Sequence, residues 1–130
     1  EDWEGALIRF LAFQCKDSET YGDDVSQLQE ALFFHGQPAQ KALRQGLKVL
    51  RDTDLRLALQ SLSIPSLYLL GQNDNIISSE MAASVAALND NCSVGIVTGA
   101  SHAPFLSHPK KCLAALDDFV SEHFVSEPLA

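Results

Sequence analysis

The sequence predicts an α/β chain in two parts, an all-helical unit over residues 1–60 and a strand–helix–strand–helix unit over residues 61–130. Three observations lead there. In the first part apolar residues repeat every three or four positions and no convincing strand occurs. From Ser61 the pattern changes to short apolar runs bounded by turn residues, the mark of strands buried on both faces. Each of those runs then ends in glycine and a polar loop, one carrying Asp74 and the other His102.

Taken in order, "ALIRFLAFQ" puts Leu7, Phe10, Leu11 and Gln14 on one helical face. "DDVSQLQEALFF" is a second helix, with Asp23 or Asp24 placed to cap it and Val25, Leu28 and Leu32 on its inner side. "PAQKALRQGLKVLRDTDL" is a third, with Pro38 near its first turn and Leu43, Leu47 and Leu50 repeating. "SIPSLYLLG" is the first strand. "SSEMAASVAALND" follows as a helix capped by its serines, with Met81, Val85 and Leu88 inward. "CSVGIVTG" is the second strand, and "PKKCLAALDDFVSEHF" a closing helix with Pro109 in its first turn. A strand–helix–strand unit implies a parallel pair with a right-handed crossover. Two parallel strands cannot cover both faces, so this part is expected to be the edge of a larger sheet.

Composition removes several functions. With 46% hydrophobic and 20% charged residues the chain is of ordinary globular type. A formal charge of −8 argues against a nucleic-acid surface. No apolar run is long enough for a membrane span. Cys15, Cys92 and Cys112 are odd in number and widely spaced, with no histidine at metal spacing. They predict reduced thiols, and so a cytoplasmic setting, rather than a disulfide framework or a metal site. No cofactor is expected. The chain starts at Glu1, so an upstream segment is outside view.

The two polar loops carry the chemistry. "GQNDN" follows the first strand and "GASHAPFLSHP" the second, and ligands and catalytic groups gather at the carboxyl ends of parallel strands. Asp74 alone reads as a turn former and His102 alone as a packed histidine. Together, at equivalent ends of neighbouring strands, they predict an acid that orients a general base. Small residues around His102 leave the imidazole open, Pro104 disfavours helix at Ala103, and Pro104 with Phe105 should turn the chain back into the core. His108 precedes Pro109 and is expected to cap or pack. His35 and His123 are assigned no role.

Those loops resemble the carboxyl-terminal part of an α/β-hydrolase, in which the acid follows the strand after a helical cap and the histidine follows the last strand. The resemblance is more specific to the pimeloyl-[acyl-carrier protein] methyl ester esterases. It rests on the H-A-P-F-x-S-H-P string at His102 to Pro109, the cap stretch F-L-A-x-Q at Phe10, Leu11, Ala12, Phe13 and Gln14, and "GLKVLRDTDLR" before the first strand. It implies a cap over 1–60 and a core portion over 61–130. Asp74 would then be the triad acid and His102 the base. Phe10 to Gln14 would line an acyl channel, and an acyl carrier protein bearing a pimeloyl methyl ester would be the partner.

No G-x-S-x-G elbow or oxyanion segment occurs in the 130 residues. The nucleophile and its half of the enzyme are expected upstream, and the chain alone is expected to be inactive, as one portion of a split, truncated or incomplete enzyme. "RFLAFQ" also follows "DWEG" sooner than in that family, which implies a shorter cap or a missing segment. Residues 1–40 hold eight acidic groups against Arg9 and Lys16, a poor surface for an acidic carrier. Lys41, Arg44, Lys48 and Arg51 share one helix face and are the candidate docking stripe. Other hydrolase chemistry on small esters, carbon–carbon bonds or haloalkanes, and a non-catalytic binding chain, are the alternatives.

Overall fold

The computed structural model describes residues 2–34 and 36–124; His35 lies outside the described residues, as does the end of the chain from residue 125. Four helices come first. Helix α1 (Trp3–Cys15) starts at Asp2, whose Oδ1 accepts the Gly5 N–H at 2.9 Å, and it buries Leu11 and Cys15. It packs against α2 (Tyr21–Phe33). Asp23 and Asp24 do not cap α2, because the helix begins three residues earlier than the acidic pair suggests, with Thr20 at the cap position. Asp24 is instead buried in the first turn, where it accepts the hydroxyls of Ser18 at 2.6 Å and Thr20 at 2.9 Å.

Helix α3 (Gln40–Asp52) begins after Pro38 rather than around it, and none of its residues is fully buried. The single long helix expected over 38–55 breaks at Thr53. Asp54 then accepts the backbone N–H of Arg56 at 3.0 Å, which starts the short α4 (Arg56–Gln60). A local side-chain acceptor thus outcompetes helix continuation.

Strand β1 (Ser66–Gly71) and strand β2 (Cys92–Val97) form a two-stranded parallel sheet, in register from Ser66 opposite Cys92 to Gly71 opposite Val97. Between them lies α5 (Ser79–Ala86), with Ser78 at the cap position but no side-chain cap bond. Of the residues expected inward, Val85 and Leu88 are half-buried as expected, but Met81 is exposed and Ala82 is buried beside it. After β2 come α6 (Pro104–Ser107), an unexpected single turn, and α7 (Pro109–His123), which Pro109 opens as expected. Val97, Ala100 and Cys112 form the buried core with Leu69 against it. Asn89 is buried too, donating to the carbonyls of Leu59 and Leu62 at 2.6 and 2.7 Å, which ties the amino end of the sheet to α4.

Candidate active site

The two strands end level with one another, and their loops are joined before either functional residue is reached. Gln72 N–H donates to the Val97 carbonyl at 3.0 Å and Asn73 N–H to that of Ala100 at 2.9 Å. The Gln72 side chain returns the link, accepting the Gly99 N–H at 3.2 Å. Gly71 makes the closeness possible: a Cβ there would overlap the carbonyl oxygens of Ala100 and Ser101. Gly99 adopts φ +83°, the left-handed conformation that only glycine takes without strain.

Asp74 and His102 meet on this platform. Asp74 Oδ2 lies 2.9 Å from His102 Nδ1. Its other oxygen accepts the backbone N–H groups of Ile76 at 2.7 Å and Ile77 at 2.9 Å, so the carboxylate is held from two sides. The Asp74 side chain is 2% exposed and that of His102 is 29% exposed. A carboxylate can only accept, so Nδ1 is the protonated nitrogen of the neutral ring and Nε2 keeps its lone pair. Among the described residues no hydrogen-bond partner holds Nε2, and a buried acid behind a half-open imidazole is the arrangement of a general base.

Known proteins match the chain over most of its length. No family profile matches the chain. It is 39% identical over 120 residues to the "Pimeloyl-[acyl-carrier protein] methyl ester esterase" of Xanthomonas oryzae pv. oryzae (strain MAFF 311018), covering 92% of this chain and 47% of that protein. To the protein of the same name from Stenotrophomonas maltophilia (strain K279a) it is 38% identical, covering 92% and 46%. The chain spans about half the length of these curated relatives. Among solved structures, an alpha/beta fold family hydrolase from Bacillus anthracis str. Sterne superposes with a TM-score of 0.63 at 24% identity, over 92% of this chain and 42% of that one. E-2-(acetamidomethylene)succinate hydrolase superposes with a TM-score of 0.61 at 26% identity, over 66% and 32%. The chain has the fold of the carboxyl-terminal part of an α/β-hydrolase.

Within this hydrolase portion the other expected residues separate. Phe10 lines an apolar groove of about 450 Å³ between α1 and α3, with Leu7, Leu43 and Leu47 among its walls. Leu11 is buried packing, Ala12 is half-buried, and Phe13 is exposed without lining that groove. Gln14 touches the site through its backbone, since its carbonyl accepts the His102 N–H at 3.1 Å and the Ser101 hydroxyl at 2.8 Å. Pro104 is buried, but Phe105 is 68% exposed and does not return the chain to the core; α6 begins at Pro104 and turns Phe105 outward. His108 holds the cap position of α7 without a side-chain cap bond. Its Nδ1 lies 2.8 Å from Ser107 Oγ and its Nε2 3.3 Å from Glu19 Oε2.

The residues missed from the sequence are Asn73, Asn75, Ser101 and Glu19, all polar and all placed by contacts far along the chain. The only local signal was the density of Asn and Ser in the two loops. The three cysteines are unpaired and buried, and burial pushes the Cys15 and Cys112 thiols up, Cys15 also through nearby Asp24. Among the described residues no cluster of His, Cys, Asp and Glu could hold a metal ion, and no helix is long and apolar enough to cross a membrane.

Proposed function

We propose that this chain carries the acid and base of a serine carboxylesterase that hydrolyses the methyl ester of pimeloyl-[acyl-carrier protein] in biotin synthesis, the nucleophilic serine lying in upstream sequence. The 2.9 Å contact of buried Asp74 with half-open His102 is the observation that carries it. His102 Nε2 takes the serine proton as the hydroxyl attacks the ester carbonyl. The same nitrogen then gives the proton to the departing methanol. Water, activated by His102, releases the acid and restores the serine. Asp74 stays ionised and holds the ring as it becomes imidazolium. The substrate assignment draws on the names of the two relatives and on the HAPF-SHP and FLA-Q strings.

Phe10 and the apolar groove beside it supply the wall for a medium-length acyl chain. The α3 stripe supplies the surface for an acidic carrier. Lys48 and Arg51 already share Asp52, so Lys41 and Arg44 are its freer cations among the described residues. Three unpaired thiols fit a reducing cytoplasm.

The test joins this chain to its upstream sequence and assays methyl pimeloyl esters. Asp74→Asn is expected to lower turnover by roughly 10⁴-fold, because the amide stabilises the wrong imidazole tautomer. Turnover of haloalkanes or small esters alone would replace the substrate assignment, and no turnover of any would leave a binding chain. Lys41→Glu with Arg44→Glu should raise KM for the carrier-linked ester and leave the free methyl ester unaffected.

A further inference from the structure

The catalytic pair is fastened to a segment that contains no catalytic group. Residues 14 to 19, which lead out of α1, run between the acid loop and the histidine loop and bond to both. The Gln14 carbonyl takes the His102 N–H and the Ser101 hydroxyl, at 3.1 and 2.8 Å. It is one of the carbonyls that the end of α1 leaves without an intrahelical partner, so the helix terminus and the histidine loop satisfy one another. Ser101 is 2% exposed, and its hydroxyl also lies 3.3 Å from the Asn73 carbonyl in the acid loop.

On the other side, Asn73 Nδ2 donates to the Asp17 carbonyl at 2.8 Å. Asn75 Nδ2 lies 3.2 Å from the Lys16 carbonyl and 3.1 Å from Asp17 Oδ2. These two asparagines flank Asp74. Glu19 closes the segment, donating its N–H to the Gly99 carbonyl at 3.2 Å and setting its carboxylate against His108. Asp17 reaches this path through a left-handed backbone, φ +67°. The segment is braced from behind by buried Asp24, through the hydroxyls of Ser18 and Thr20.

We propose that this segment is a strap that sets the spacing of Asp74 and His102, with Asn73 and Asn75 as positioning residues for the acid. The inference rests on the reading of that pair as catalytic. It explains how two loops on separate strands hold a hydrogen bond at ordinary length. It also makes the pair's geometry a property of how α1 ends, so that the approach of α1 and the readiness of the base are one adjustment.

The measurement is the His102 Nδ1–H resonance in the ¹⁵N-labelled protein, together with its exchange with solvent. Asn73→Ala with Asn75→Ala should speed that exchange about tenfold or abolish the signal, the scale of one net hydrogen bond. Amide protection in β1 and β2 should be kept. Asn91→Ala removes a comparable side-chain bond, to the Leu62 carbonyl at the far end of the strands, and should leave the resonance alone. If the double variant does not fold, exposed Asn75→Ala alone should give a smaller change in the same direction. An unchanged exchange rate, an equal effect from Asn91→Ala, or no such resonance in the unmodified protein overturns the strap. Because the readout is a hydrogen bond rather than turnover, the strap can hold while the ester assignment fails, and the reverse.

Discussion

The loops at the carboxyl ends of β1 and β2 differ sharply from α3. In the loops, several polar groups pair with partners distant in sequence: Ser101 with Gln14, Asn73 with Asp17, Gln72 with Gly99. Helix α3 buries none of its residues and carries Leu47, Val49 and Leu50 in the open, Leu50 82% exposed. Its ion pairs are local, Lys48 and Arg51 with Asp52. In one region polar groups are paired across the chain; in the other the pairs are local and few residues are covered. The proposed acid–base pair is thus held by bonds across the chain, while the proposed docking helix stays open.

Substitutions at matched glycines break this contrast most directly. Gly71→Ala should be the most damaging, at about 3 kcal/mol, since a Cβ meets backbone that cannot give way. Chemical denaturation followed with loss of the His102 resonance checks it, and a near-neutral result would mean the loops are looser than their bonds suggest. Asp24→Ala should cost about 2 kcal/mol, because two hydroxyls lose a buried acceptor. Its thermal midpoint should fall even though no site residue is touched.

Gly46→Ala should act the other way. Nothing lies within 4 Å of the added methyl, and alanine favours the helix by about 1 kcal/mol. Destabilisation there would show that α3 is covered in solution. The smallest effect is electrostatic. Arg56 hydrogen-bonds Asp54 and holds its carboxyl down, to about 2 from the ordinary 3.8. A depressed carboxylate contributes stability above its unfolded value and loses it as pH falls from 3.8 through about 2. The pair is solvent-exposed, so comparing Asp54→Asn with the parent by acid titration should show only a slight difference in that window, fading with salt.

Much of the site was legible because it sits where two local signals coincide. A short apolar run ending in glycine marks a strand end, and an acid or a base just beyond it marks the loop. The parallel register then brings Asp74 to His102. The failures share another cause. Phe105 was expected inside and is outside, Met81 was expected inward where Ala82 lies, and Asp24 was expected to cap where it is buried. In each case hydrophobicity or capping preference named a role, and a neighbouring element took or refused it.

Sequence by itself determined the two strands and their ends, and the polar loops that carry Asp74 and His102, because periodicity and turn chemistry act within a few residues. Only the tertiary structure decided what holds that pair in place. The strap's partners lie 56 to 89 positions apart, and no local pattern records which orphaned helix carbonyl will find which loop. Such bonds join segments that only folding brings together, so which donor meets which carbonyl is settled when the whole chain is folded.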